Sequence, residues 1–153
     1  MKPLVLALLF AAGCATTKPS TTPPPTTTST TTAAPQPLFE RLGGKPAIEA
    51  VVDDFLGRVS QDATINSGFA VSHVPRIRQR LVELVCAGTG GPCTYSGRDM
   101  GKVHAGQGIT NAQFDSLVGH LVASLDKFKV PSTEKNELLG ILGPMRPAIV
   151  EEP

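Results

Sequence analysis

Six side chains stand out for the chemistry they can do: His73, His104 and His120, and Cys14, Cys86 and Cys93. An imidazole exchanges protons or ligates metals near neutral pH, and a thiol serves as nucleophile, metal ligand or half of a disulfide. His120 lies three residues after Leu117 and one before Leu121, inside an apolar helical repeat, which is a structural position. His73 precedes Val74-Pro75 where a helix begins, which is an exposed one. His104 sits in GKVHAGQGIT (101–110), where two glycines and a threonine break the segment just after it. Such a break lets the ring stand off the backbone, free for a metal. Taken alone, the stretch fits a surface histidine better.

The elements that must hold these residues are helical. Ile48, Val51, Val52, Phe55, Leu56 and Val59 recur at the spacing of one helix face, and Ile77, Leu81, Leu84 and Val85 make a second stripe. A third helix opens at Thr110, whose hydroxyl can cap while Gln113 reaches back, and carries Phe114, Leu117, Val118, Leu121, Val122 and Leu125. A fourth opens at Ser132 after Pro131 and carries Leu138, Ile141, Leu142, Met145 and Ile149. No stretch sustains period-two alternation, so the fold class is all-α. Glycine pairs at Gly43-Gly44 and Gly90-Gly91 separate the stripes, and the residues from Gly88 to Gly108 are poor in helix signals. A connection that long in a compact helical domain predicts a functional loop or a ligand site.

Composition narrows the classes. With 153 residues, 41% of them hydrophobic, the chain has room for one domain with a modest core, which a cofactor can complete. Aromatic residues make up 5%, Trp is absent and the net charge is +1, so nothing marks a nucleic-acid footprint.

The first residues read as an export signal. Lys2 precedes nine apolar residues, Leu4 to Ala12, too few to cross a bilayer as a helix, and Gly13-Cys14 follows. Small residues directly before a cysteine resemble a bacterial lipobox, although Ala11 stands where that pattern usually has Leu. The resemblance implies that Cys14 is lipidated, with Ala15 after it pointing to the periplasmic face of the outer membrane; a plain secretory signal, leaving a soluble periplasmic or secreted protein, is the alternative. Residues 15–37 hold ten Thr, six Pro and two Ser, a composition that cannot bury a core and predicts a disordered tether. The expected organisation is thus a signal peptide over 1–14, a tether over 15–37 and a folded domain over 38–153, touching the membrane through the lipid anchor only. In an exported protein Cys86 and Cys93 read as a disulfide. On one continuous helix they would lie about 10 Å apart, out of reach, but Gly88, Gly90, Gly91 and Pro92 end the helix between them.

From Leu38 to about Val150 the chain resembles the group 1 truncated haemoglobins. The resemblance rests on LFERLGGKPAIEAVVDDFLGRV, on Phe69, on GGPCTYSGRDMGKVHAGQGIT and on FDSLVGHLV, in that order. It implies four main helices packed two-on-two around haem b, with His104 as proximal iron ligand and Phe69 stacked on the porphyrin. Met100, Val103, Ile109, Phe114 and Val118 would line the proximal side and floor. Among Arg76, Arg78 and Arg80, the last is the chosen partner for the propionates, against a solvated face.

The distal side departs from that family. Where its members commonly carry a Tyr and a Gln that donate hydrogen bonds to bound oxygen, this chain has Leu56 and Leu81, with Ile77 one turn before Leu81. None of the three donates a proton. Losing such a donor in a dry pocket costs about 1.5–3 kcal/mol, or roughly ten- to a hundredfold in oxygen affinity. The expectation is therefore a protein that reversibly binds a diatomic gas, O2, NO or CO. A periplasmic redox protein with a six-coordinate iron, its sixth ligand His73 or Met100, is the alternative, and a haem-free helical lipoprotein is a third. No general acid or base adjoins the distal positions to recommend dioxygenase or peroxidase-like activity. The one protein partner such a centre calls for is an unidentified reductase.

Overall fold

The computed structural model describes residues 36–69 and 73–152. Cys14, the predicted signal segment and the predicted tether up to residue 35 lie outside the described residues.

α1 (Leu38–Arg41) leads through Gly43, at φ 94°, into the long α2 (Gly44–Gln61). The six residues of the first apolar stripe are all buried on α2, with Val59 at 0% exposure. α2 packs against both α3 (Val74–Gly88) and α5 (Asn111–Lys127). Between the latter two comes the loop after α3 and the five-residue α4 (Met100–His104). α6 (Ser132–Leu142) follows, contacting α1, and a 3-10 turn at Gly143–Met145 leads to α7 (Arg146–Ile149), which packs on α4. Among the described residues the only bridge of β type joins Thr110 and Glu152.

Most helix boundaries follow local chemistry. Thr110 and Gln113 form a capping box at the start of α5: the threonine hydroxyl accepts from the Gln113 amide at 3.2 Å and the glutamine carbonyl accepts from the Thr110 amide at 3.1 Å. Pro75 in the first turn of α3 loses no helical hydrogen bond there. The stripe from Leu138 to Ile149, continuous in sequence, is broken in space. Pro144 and Pro147 cannot donate to the preceding turn, so the segment steps from α6 through a 3-10 turn to α7.

Two aspartates, Asp54 on α2 and Asp62 just past its end, fasten α5 to it. Asp54 accepts from Ser124 Oγ at 2.9 Å and Arg58 Nε at 2.7 Å, and also pairs with Lys127. Asp62, at the end of α2, accepts from Ser116 Oγ at 2.6 Å, the Thr64 amide at 2.9 Å and His120 Nε2 at 2.9 Å. These donors hold both carboxyls well below the usual carboxylate range, Asp54 through Lys127 first and Asp62 through Ser116 first. His120 is therefore engaged in joining two helices.

Cys86 and Cys93 are joined by a disulfide, with Cα atoms 5.7 Å apart. The glycine pair between them explains how. Gly90 takes φ 82°, turning the chain back on α3, and Gly91 donates its amide to the Cys86 carbonyl at 2.8 Å. A Cβ on Gly91 would stand 2.4 Å from the Phe39 ring and 2.8 Å from Cys86 Sγ, so any side chain there collides with α1 and the disulfide together.

Cys86 is fully buried while Cys93 is half-buried, so the bond seals the end of a core helix. On the chain-entropy model a loop of this length stabilises the fold by about 2.5 kcal/mol. The double substitution Cys86→Ala/Cys93→Ala should lower the unfolding free energy by that order in urea titration, and added reductant should then leave the variant's midpoint unchanged. A variant as stable as the oxidised wild type would remove the disulfide from the list of stabilising contacts.

Candidate functional site

α4 and the turn after it carry His104. The helix begins at Asp99, whose side chain accepts from the Lys102 amide at 3.2 Å, and ends at the histidine. His104 is half-buried, and its Nδ1 lies 2.9 Å from the Met100 carbonyl oxygen. A carbonyl can only accept, so Nδ1 carries the hydrogen and the lone pair of the neutral ring falls on Nε2. The tautomer and the direction of the free nitrogen are thus set by the helix that bears the ring.

The other residues predicted to line the pocket differ in burial. Met100, Val103, Ile109 and Val118 are half-buried yet stand outside the packed core cluster, whereas Phe69, Ile77 and Leu81 are half-buried and lean on that cluster's edge. Leu56 is buried in α2. α3 divides accordingly: Val82, Val85 and Cys86 enter the core, and Ile77, Leu81 and Leu84 remain partly open. Phe114 is buried, and one face of its ring is covered by the Arg146 guanidinium at 4.4 Å. Arg146 in turn donates to Asn111 Oδ1 at 2.7 Å and pairs with Asp115.

Other predicted positions fall differently. Arg80 donates to Glu83 at 2.8 Å, and Arg78 forms a forked pair with Asp53. Exposed His73 is the residue preceding α3. Met100 is one turn before His104 on the same helix, and its carbonyl is spent on the ring. Among the described residues no group of three or more His, Cys, Asp or Glu gathers as a metal site.

The loop leading into α4 is held by a residue the sequence did not single out. Glu83 on α3 accepts from the Ser96 amide at 3.1 Å, from Ser96 Oγ at 2.7 Å and from Arg80. Tyr95 donates to the Arg98 carbonyl at 3.1 Å within the same loop. A lone glutamate on an amphipathic helix carries no signal of a partner thirteen residues on, which is why sequence patterning passed over it.

The described residues form an all-helical domain, α2 packed on α3 and α5, with one oriented imidazole on the short helix before α5, an arrangement that suits a globin-type protein. The family model of bacterial-like globins matches residues 37–151, and the chain belongs to that family. Within it the chain is 38% identical over 117 residues to a group 1 truncated haemoglobin of Mycolicibacterium paratuberculosis, covering 76% of this chain and 86% of that one. It is 31% identical to a group 1 truncated haemoglobin of a Nostoc species, covering 75% of this chain and 98% of that one. It is a group 1 truncated haemoglobin. Its fold superposes on the truncated haemoglobin of Tetrahymena pyriformis in the Fe(III) form with a TM-score of 0.71 at 26% identity, over 75% of this chain and 98% of that chain. It superposes equally, at TM-score 0.71 and 26% identity, on the 2/2 haemoglobin of Synechococcus in a cyanomet form with covalently attached haem, over 76% of this chain and 100% of that chain.

Ser96 and its hydrogen bonds lower the Glu83 carboxyl from 4.5 to about 2. A carboxyl depressed on folding contributes stability that is complete above its unfolded value and is lost as pH falls toward the folded one. Wild type should therefore lose thermal stability between pH 4.5 and 2, and Glu83→Gln should be less stable at neutral pH with a shallower acid slope across that window. Equal acid slopes in a pH series of melting curves would show that this contact is not coupled to folding.

Proposed function

We propose that this chain binds haem b through His104 and holds a diatomic gas reversibly on its distal side. The observation that carries the reading is the 2.9 Å contact from His104 Nδ1 to the Met100 carbonyl, which leaves Nε2 as a free, directed lone pair. A lone imidazole suits an iron whose four other nitrogens come from a macrocycle, and no competing protein ligand set adjoins it among the described residues. Met100, Val103, Ile109 and Val118, half-buried outside the core, are the kind of surface a flat apolar ring would cover. Cys86 and Cys93 are consumed by their disulfide, which supports a haem held without thioether links to the folded domain.

When bound, haem would supply the iron that holds the gas. The protein's own work is positional. Met100 fixes the ring tautomer, while Phe69 and Leu56 exclude water. Leu56 and Leu81 present hydrocarbon where relatives of this family commonly carry a donor, and Ile77 adds none, so none of the three steadies charge on a ligand. That combination favours ligands that need no hydrogen bond, such as CO and NO, over long retention of O2. Arg80 would reach a propionate only by sharing its guanidinium with Glu83.

Spectroscopy of the haem-loaded protein tests both halves. His104→Ala should abolish the Soret band of the ferric and ferrous forms. Leu56→Tyr, which restores a donor, should slow O2 release by about ten- to a hundredfold while changing CO release far less. Haem uptake that survives His104→Ala would overturn the ligand assignment, and slow O2 release in wild type would overturn the apolar distal reading. Six-coordinate bands lost on changing His73 or Met100 would favour electron transfer instead.

We further propose export and lipidation at Cys14. Lys2, the apolar run to Ala12 and the following Cys14 support it, as does the disulfide, since such bonds persist in oxidising compartments. Metabolic labelling with a fatty acid should mark the full chain and not Cys14→Ala; unlabelled wild type would argue for a soluble exported form.

A further inference from the structure

The turn that releases His104 from α4 is closed by a residue forty-odd positions away. Gly106 and Gly108 take φ 75° and 61°, conformations open to glycine and strained for other residues. Their amides converge on one carboxylate: Glu151 Oε1 accepts from Gly106 N at 2.6 Å and Glu151 Oε2 from Gly108 N at 2.7 Å. The backbone around Glu151 completes the lock. Its own amide donates to the Ile109 carbonyl at 2.9 Å, the Glu152 amide donates to the same oxygen at 3.2 Å, and Asn111 N donates to the Glu152 carbonyl at 3.2 Å. α7, just before this segment, packs on α4 itself.

These contacts divide the labour around the histidine. The Met100 carbonyl fixes the ring about its own helix, but α4 is five residues long and cannot hold its own position. Glu151 fixes where the end of that helix lies, by binding the turn that begins two residues later. Two N–H groups presented by a glycine turn form a concave anion site, and a charged acceptor on each makes stronger hydrogen bonds than a neutral one would.

We propose that Glu151 is a positioning residue for His104: its carboxylate, clamped on the Gly106 and Gly108 amides, sets the depth and tilt at which Nε2 is offered to iron. The inference rests on the reading of His104 as the proximal ligand.

The experiment compares full-length wild type with Glu151→Ala, Glu151→Gln and Glu152→Ala. In haem-free protein, hydrogen exchange at the Gly106 and Gly108 amides should speed up by about tenfold or more in Glu151→Ala, the ratio expected for loss of a charge-assisted hydrogen bond. In protein loaded with ferrous iron protoporphyrin, the iron–histidine stretching band in resonance Raman spectra should shift or broaden in Glu151→Ala. Glu151→Gln, which keeps one accepting oxygen, should fall between it and wild type. Glu152→Ala, which removes a neighbouring charge and keeps the backbone bonds, should match wild type. An unchanged iron–histidine band in Glu151→Ala overturns the proposal even if the melting temperature falls, because that variant would then be structural only. An equal shift in Glu152→Ala overturns it in favour of general charge. Should Glu151→Ala not fold, Glu151→Gln decides by the same band. Wild type that takes up haem while Glu151→Ala shows no spectral change removes this inference and leaves the haem reading standing; wild type that takes up no haem removes both.

Discussion

The length and two-sidedness of α2 constrain the rest of the molecule. Its six buried apolar residues fill the space between α3 and α5, while Asp54 on the helix and Asp62 just past its end take hydrogen bonds from Ser116, His120 and Ser124 of α5. Apolar burial brings helices together without fixing their register, because it is nearly indifferent to small slides. Directed bonds to two carboxylates about two turns apart do fix it. α5 then carries Phe114 and Val118 in a register that does not depend on the loop with His104.

That loop has little helix of its own to stabilise it, and the fold compensates by anchoring it at three points. The Cys86–Cys93 disulfide holds its start, Glu83 holds Ser96 in its middle, and Glu151 holds the glycine turn at its end. The first two arise on α3 and the third on the segment after α7. A short helix bearing His104 can keep its place in this setting because the loop is bonded on both sides of it, not because five residues of helix are stable alone. The apolar set of Met100, Val103, Ile109 and Val118, half-buried and unattached to the core, is consistent with a surface that a flat prosthetic group would complete.

Much of this was legible in the chain. The stripe from Ile48 to Val59 places α2 and its buried face, and the Thr110-Gln113 pair starts α5 at the residue where the structure starts it. The cysteines, separated by glycines and proline, already implied a closed loop. These features depend on contacts within a turn or two, which sequence spacing encodes directly. Reading Leu138 to Ile149 as one helix failed for a local reason as well, since Pro144 and Pro147 outweigh hydrophobic periodicity.

By itself, then, the sequence determined the helical class, the core face of α2, the cysteine pairing and the singling out of His104. Tertiary structure alone decided that His120 spends its ring on Asp62 and that Glu83 holds Ser96. It also decided that Glu151 closes on Gly106 and Gly108. The reason is one of range. Periodicity and capping are written by neighbours in the chain, but a charged side chain meets its partner only after helices have packed, and no spacing rule links residue 151 to residue 106.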